Sequence, residues 1–262
     1  MAENQIRFDD GAAYERMMGT WSRLAGNIFL DWLAPRSGLR WLDVGCGNGA
    51  FTELLVERFA PAEVQGIDPS EGQLAFTRAR PAVRVAKFSQ ADAMALPFSE
   101  NRFDVAVMAL VLFFVPDPAK GVAEMKRVVC AGGTVASYVW DMFGGGVPLE
   151  PIQAEMRAMG VTPLLPPRSD VSRTEALRDV WTGAGLEAVE TREISVQRTF
   201  ADFDDFWTTT LRGSSVGPTI AAMTSGDVEL LKTRVRVRLP PDAAGRITYG
   251  ARANAIKGFV PR

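Results

Sequence analysis

Asp43-Val44-Gly45-Cys46-Gly47-Asn48-Gly49 sets an acidic residue two positions ahead of three alternating glycines. Apolar Trp41-Leu42 precede it, and Ala50 to Ala60 follow with helical spacing, so the stretch is a strand, a glycine turn and a helix. That layout brings backbone N–H groups and a helix N-terminus close to a nucleotide-like ligand. Asp43 at the strand end opposes a phosphate and suits a cationic or ammonium-bearing ligand instead. A second acid, Asp68, closes the next strand; a carboxylate there accepts both hydroxyls of a ribose, each charge-assisted bond being worth about 1.5–3 kcal/mol. A third, Asp92, follows the strand after that with Ala93 beside it. The carboxylate can accept from an exocyclic amine while the next backbone N–H donates to a ring nitrogen, which describes an adenine edge. Each feature alone has a plainer use: a tight strand-to-helix turn, an Asp-Pro-Ser turn, a loop acid. Taken at their mutual spacing, with no phosphate-binding Lys or Arg among them, the three acids fit adenosine without phosphates.

The elements that position these residues alternate along the chain. Tyr14 to Leu33 carries Met17, Trp21, Leu24, Ile28 and Trp32 at three- and four-residue steps, an amphipathic helix ending before Pro35. Strands are expected at Arg40–Val44, Ala62–Ile67, Pro81–Phe88, Phe103–Met108 and Thr134–Val139. Helices are expected at Ala50–Ala60, Glu71–Ala79 (N-capped by Ser70) and Asp117–Val129, with Ala131-Gly132-Gly133 ending the last. This spacing argues for βαβ units and a parallel sheet. Beyond Trp140 the texture changes. Gly144-Gly145-Gly146 reads as a hinge. Helices are expected at Arg173–Ala184 (capped by Ser172), Phe200–Leu211 and Asp227–Leu239, and strands at Leu186–Val196, Ile247–Tyr249 and Ala253–Val260. The expected division is a ligand-binding core over 1–140 with its N-terminal helix. The rest of the sheet follows over 141–262, with helical cover at about 141–170 and 200–245.

Composition removes several kinds of chemistry. The 262 residues include no histidine, which excludes the commonest metal ligand and the commonest general base together. No metal site is expected, and neither is a Ser-His-Asp triad. Two cysteines, Cys46 and Cys130, make no disulfide framework. A net charge of −2 gives no reason to expect nucleic acid or an anionic membrane as partner. The longest apolar run, Val105 to Val115, is too short for a bilayer, and the N-terminal stretch lacks the apolar core of a secretory signal. A cytoplasmic protein, monomer or homodimer, is the expectation.

The segments WLDVGCGNGAF, VQGIDPSEGQL, FSQADAMALPFSENRFDVAVMALVLFFVPDP and RVVCAGGTVASYVWD together resemble the successive motifs of class I S-adenosylmethionine-dependent methyltransferases. They are most similar to the small-molecule branch that includes ubiquinone and menaquinone biosynthetic enzymes. The resemblance spans about Tyr14 to Trp140. It implies a Rossmann-like, doubly wound α/β fold: a mostly parallel seven-stranded sheet, its last strand antiparallel, with a helical substrate cover. It also implies S-adenosyl-L-methionine as cofactor, with Asp43, Gly45, Cys46, Gly47 and Gly49 beside its methionine moiety and Asp68 on the ribose. Pro69 and Gln73 would flank that ribose, Asp92, Ala93 and Met94 would meet adenine, and Ala109 and Leu110 the amino-acid end. Tyr14 to Arg23 resembles the family's lid helix, with Tyr14 and Arg23 as cofactor contacts. Two departures stand out. Phe113-Phe114 replaces a histidine common after strand four, making the pocket mouth more apolar, and Cys130-Ala131 replaces a Lys-Pro pair in the turn before strand five.

Methyl transfer from a sulfonium is an in-line displacement in which alignment supplies several kcal/mol, up to about 7–11 in the best cases. Without histidine, the acceptor either arrives ionised or basic, or loses its proton to a carboxylate or tyrosine. Asp141 and Tyr138 are nearest the end of strand five, though a loop cap and a core residue are their plainer roles. A small, partly apolar or aromatic metabolite is the expected acceptor, with Phe113, Trp140, Phe143 and Trp207 as substrate-binding residues; Met142 and Met223 are further candidate linings. The basic run Lys232, Arg234, Arg236, Arg238 is most simply a solvated helix face, with an acidic-substrate contact as its alternative. Two other functions stay open: a catalytically inactive cofactor-binding regulatory protein, and an NAD-dependent dehydrogenase, against which Asp43, the Gly-x-Gly-x-Gly spacing and Asp92 argue.

Overall fold

The computed structural model describes residues 15–211 and 216–262. A π-helical turn, Glu15–Gly19, leads into α1 (Thr20–Leu33). Then come β1 (Arg40–Val44), α2 (Ala50–Phe59), β2 (Glu63–Asp68), α3 (Glu71–Arg78), β3 (Ala86–Gln90), β4 (Phe103–Ala109), α4 (Pro118–Val128) and β5 (Val129–Trp140). The second half holds α5 (Glu150–Ala158), α6 (Thr174–Gly183), β6 (Glu187–Phe200), α7 (Phe203–Leu211), α8 (Gly217–Ala221), α9 (Ser225–Arg238) and β7 (Ile247–Phe259).

The strands form one sheet in the order β3-β2-β1-β4-β5-β7-β6. Neighbours are parallel from β3 to β5, whereas β7 runs antiparallel to both β5 and β6. This is the expected Rossmann-like arrangement. Chain order reverses between β1 and β4, and in open α/β sheets ligands settle outside the C-terminal strand ends at such a switch point. β1 and β4 are almost wholly buried because helices cover both faces, which their continuous apolar runs require. One register detail shapes the acceptor side. β7 pairs with β5 only from Ala253 onward, and Arg252 bonds the loop after β5 through Asp141 and Gly146, so residues 247–251 pair with β6 alone. The β6–β7 ribbon therefore extends past Trp140, the last residue of β5.

The core is apolar and aromatic. Trp21, Ala25, Phe29 and Leu30 form the buried face of α1. The Phe29 ring lies 4.8 Å from Tyr138 of β5 and 6.1 Å from Phe51 of α2. Across the sheet, Trp181 of α6 donates its indole N–H to the Val135 carbonyl at 3.0 Å, satisfying a polar atom that would otherwise be buried without a partner.

Several boundaries differ from the sequence expectation, each for a local reason. Pro81–Val83 is a short 3₁₀ turn rather than the start of the third strand, since proline fits the first turn of a helix and donates nothing to a ladder. Ser172 does not cap α6; its hydroxyl accepts from the Met142 N–H, and the helix starts at Thr174 without a side-chain cap. Ala131-Gly132-Gly133 lies within β5, and the two expected closing strands are one strand running through Gly250. Phe200 ends β6 rather than opening α7. No helix among the described residues is long and apolar enough to cross a membrane.

Candidate functional site

The glycine turn sits at the C-terminal ends of β1 and β2. Gly45, Gly47 and Gly49 all adopt positive φ, at 77°, 52° and 83°. A Cβ on Gly45 would lie 2.5 Å from the Val111 side chain, so this glycine is needed for close packing against the loop after β4. A Cβ on Gly47 would meet nothing within 4 Å. Only its left-handed backbone demands glycine, and the peptide there faces open space.

Asp43, in β1, is 1% exposed, and its Oδ2 accepts from the Thr52 hydroxyl at 2.5 Å. Its Oδ1 is buried and has no hydrogen-bond partner among the described residues. Burial pushes its pKa up to about 7, against the lowering effect of the Thr52 bond and with help from the Asp68 charge. Thr52 is a polar residue on the otherwise apolar inner face of α2 and was not foreseen; its burial beside Phe51 and Leu55 is the signal that pointed to it.

Asp68 ends β2 and ties the turn together. Its Oδ2 accepts from the Gly47 N–H at 2.9 Å and its Oδ1 from the Ser70 N–H at 2.8 Å. Burial raises its pKa while those two amides pull it down. Thr77 of α3, also unforeseen, donates to the Gly47 carbonyl at 2.6 Å, so both polar groups of the Gly47 peptide unit are gripped from neighbouring elements. Ser70 caps α3 as expected, accepting from the N–H of buried Gln73, and the Pro69 carbonyl accepts from Gln90.

Asp92 closes a tight turn, accepting from the Met94 N–H at 2.8 Å and bridging to Ala95; Ala93 and Met94 are partly buried beside it. The loop beyond is pinned from α4. Glu124 accepts from the Leu96 N–H, and Arg127 donates to the Leu96 and Phe98 carbonyls while paired with Glu124. On β4, Ala109 is partly buried and Leu110 holds a φ of 64°, its N–H donating to the Tyr138 carbonyl at 2.8 Å. A branched residue in the left-handed region is costly, and such strain concentrates at functional sites.

Cys46 is buried within the turn. Burial, reinforced by the Asp43 and Asp68 charges, pushes its thiol pKa well up, so it packs rather than reacts. Arg23 lies over α2, paired with Glu53 and Glu57 at 3.4 and 3.0 Å. Tyr14 lies outside the described residues.

The four expected substrate residues are less uniform. Phe113 is buried in the short turn after β4 with its ring 4.7 Å from Phe114, and Trp140 is buried at the end of β5. Trp207 is buried and stacks on Phe203. Phe143 is exposed, with the Arg173 guanidinium 4.1 Å from its ring centroid. Asp141 is held by Arg252 and accepts from the Gly144 N–H, and Tyr138 is wholly buried. The basic run of α9 is not a purely solvated face. Arg234 and Arg238 grip Glu155 of α5, while Lys232 and Arg236 reach Asp204 of α7. The run alternates by two, and on a helix that period separates the cations into two i, i+4 pairs on opposite sides.

Of the three acids, only Asp43 has a buried carboxylate oxygen without a hydrogen-bond partner among the described residues. A buried carboxylate oxygen without a partner requires a donor, and a cationic amine supplies one. No group of three or more His, Cys, Asp or Glu residues able to hold a metal ion occurs among the described residues.

Comparison with known proteins agrees with this geometry. Residues 42–137 match a family model described as a methyltransferase domain. A demethylmenaquinone methyltransferase of Staphylococcus aureus is 40% identical over 105 residues, covering 39% of this chain and 44% of that protein. The chain thus matches less than half the length of the curated relatives it resembles. A Bacillus halodurans protein described as a possible methyltransferase superposes with TM-score 0.58 at 17% identity, over 90% of this chain and 99% of its own. Phosphoethanolamine N-methyltransferase 2 of Haemonchus contortus, solved with phosphomonomethylethanolamine and S-adenosylhomocysteine, gives 0.58 at 18% identity, over 96% and 57%. These structures share the fold, and the methyltransferase-domain match over residues 42–137 includes the glycine turn and the three acids.

Proposed function

We propose that this chain is an S-adenosylmethionine-dependent methyltransferase acting on a small acceptor. The observation that carries the reading is the buried, unpartnered Asp43 Oδ1 next to a glycine turn, with Asp68 at the end of β2 and Asp92 two residues past β3. The methyltransferase-domain match over residues 42–137 and the menaquinone-pathway relative support it. In this reading Asp43 holds the cofactor's ammonium group, Asp68 the ribose and Asp92 the adenine amine. Gly45, Cys46 and Gly47 shape the methionine side, Pro69 and Gln73 flank the ribose, Ala93 and Met94 the base, and Ala109 and Leu110 the amino-acid end. When bound, S-adenosylmethionine supplies a methyl group on sulfonium whose leaving group is already a neutral thioether.

The protein then has to align and dehydrate. Thr52, Thr77 and Asp68 fix the glycine turn rigidly, which suits in-line transfer, where misplacement is costly. The β6–β7 ribbon beyond Trp140, with α7 packed on it, serves as the acceptor wall. Residues 1–140 form the cofactor core, and 141–262 complete the sheet and provide the cover. Asp141 is committed to Arg252, and Tyr138 is enclosed by Phe29 and Phe51. An acceptor nucleophile already ionised or basic in solution is therefore favoured, such as an amine, thiolate or acidic phenol.

The test is a thermal shift with S-adenosylhomocysteine beside NAD. At one hundred times its Kd a ligand stabilises by about 2.7 kcal/mol, which raises Tm by several degrees. A rise with NAD alone would sink the proposal. Turnover of S-adenosylmethionine against a panel of small amines, thiols and phenols separates an enzyme from a binding subunit.

A further inference from the structure

Three candidates stand outside the site as described. One is the exposed Leu230 and Val237 on α9, but nothing in the structure indicates what would cover them. Another is Cys130, which donates to the Asn101 carbonyl and accepts from Arg40, an arrangement that is complete in itself. The third is the turn that precedes α1.

Glu15 reaches from that turn to the glycine turn. Its Oε2 accepts from the Asn48 amide at 2.6 Å and from the Arg80 guanidinium at 2.6 Å. Arg80 is itself largely buried and bonded through its other nitrogen to Glu53 of α2. Asn48 completes the connection, its Oδ1 accepting from the Ala50 N–H at the start of α2. The turn is also fixed on its far side, where the Met17 carbonyl accepts from Arg198 of β6 at 2.8 Å. So residues 15–17 span from the cofactor turn to the overhanging ribbon, attached at both ends.

Gly19 makes this reach possible. A Cβ there would lie 2.7 Å from the Glu15 carboxyl carbon and 2.8–2.9 Å from its oxygens. Its φ of −57° needs no glycine, so the missing side chain serves the Glu15 carboxylate and not the backbone. A π-helical turn is itself uncommon and is found often at functional sites.

Resting on the cofactor reading above, we propose that Glu15, Arg80, Asn48 and Gly19 form a latch. It holds the N-terminal turn shut across the glycine turn and sets how fast the cofactor exchanges. Glu15 and Arg80 are positioning residues: they touch Asn48, whose backbone lies between two glycines of the turn. Opening breaks the Glu15 bonds and the Arg198 bond to the Met17 carbonyl, and the turn swings from the Gly19 junction with α1. The chemistry of the bound ligand is unchanged by the latch; its residence time is not.

The experiment compares wild type with Glu15→Gln and Gly19→Ala. Dissociation of S-adenosylhomocysteine is followed by stopped-flow competition, and amide hydrogen exchange over the first turn of α1 is measured in the ligand-free proteins. Both variants are expected to release the ligand about tenfold faster, equivalent to about 1.4 kcal/mol. Both should also speed exchange at Thr20 to Leu24 while leaving the β1 and β4 amides protected. Gly19→Ala tests the idea without altering any charge. If wild type binds and both variants release at the wild-type rate, the latch is wrong. If wild type does not bind, the cofactor reading fails, and hydrogen exchange alone decides the latch: equal protection in all three proteins overturns it, and faster exchange in both variants upholds it as a clasp on the turn.

Discussion

Asp43 should make this protein less stable as pH rises through neutrality, and Asp43→Asn should remove that loss. The folded-state pKa is about 7 against an ordinary value of 3.8. Between those values the native state keeps a proton that the unfolded chain has released, so stability falls with increasing pH. The full contribution is present below about pH 4 and has gone above about pH 7, unlike a salt-bridged carboxylate, which behaves oppositely. Each fully titrating unit corresponds to about 1.36 kcal/mol, and because the group is half-ionised at pH 7 the loss between pH 5 and pH 7 is about 2.3 kcal/mol. Asp68 shifts the same way and is present in both proteins, so it largely cancels in the comparison. Asparagine keeps an oxygen for Thr52 but places an NH₂ where Oδ1 had no partner, a cost of about 1–3 kcal/mol that does not vary with pH. The assay is urea denaturation of wild type and Asp43→Asn at pH 5, 6, 7 and 8, without ligand. The difference in stability should slope by about one to 1.4 kcal/mol per unit up to pH 7 and then level off. Parallel lines would refute the claim that Asp43 is buried and half-protonated near neutrality. The same group sets ligand affinity in the opposite sense. Under the proposed function the ammonium requires ionised Asp43, so S-adenosylhomocysteine should bind about tenfold more weakly per unit below pH 7.

Thr52→Val removes the bond that stabilises the Asp43 carboxylate, so the pH midpoint of ligand binding should rise above 7, read by calorimetric titration across pH; an unmoved midpoint would show that Thr52 does not tune Asp43. Asp68→Ala frees the Gly47 and Ser70 amides as well as the proposed ribose contact. Ligand affinity should fall at least tenfold, with far-ultraviolet circular dichroism unchanged; undiminished affinity removes the ribose assignment. Asp141→Asn weakens the Arg252 contact and should lower Tm by a few degrees while leaving methyl-transfer turnover, once an acceptor is found, within about threefold; a loss of several hundredfold would make Asp141 the base after all.

The parts of the fold legible in the sequence were those with strong local signals. Trp41 to Val44 and Phe103 to Met108 are continuous apolar runs bounded by turns, and they became the buried centre of the sheet. The place of β7 between β5 and β6 depends on long-range pairing that no local pattern encodes. Gly250 and the glycines at 132 and 133 read as breaks because glycine weakens a strand in isolation; here ladder hydrogen bonds to neighbouring strands override that preference. The places of the three acids were legible because the strand pattern sets them: Asp43 one residue before the end of β1, Asp68 at the end of β2 and Asp92 two residues past β3. Thr77, Glu15 and Arg80 were not, because each acts through a partner far along the chain, and Thr52 was not, because its hydroxyl acts from the apolar inner face of a helix.

The two halves of the molecule treat their charges differently, and this bears on the division of labour between them. Around the glycine turn, carboxylates are buried with backbone or hydroxyl donors and no cation: Asp43 with Thr52, Asp68 with Gly47 and Ser70. Such groups ionise at a cost, and a bound cation relieves it. On the cover, the acids that join elements are matched by arginine or lysine: Asp141 by Arg252, Glu155 by Arg234 and Arg238, Asp204 by Lys232 and Arg236. Pairs of that kind need nothing from a ligand, and partly exposed ones contribute only modestly to stability. Their use is to dock α5, α7 and α9 to one another without adding apolar area. An electrostatic demand for a cationic ligand therefore exists on one side of the sheet's C-terminal edge and is already met on the other. Under the proposed function, that asymmetry assigns the choice of the charged cofactor to the core and the choice of acceptor to the shape and apolar lining of the cover.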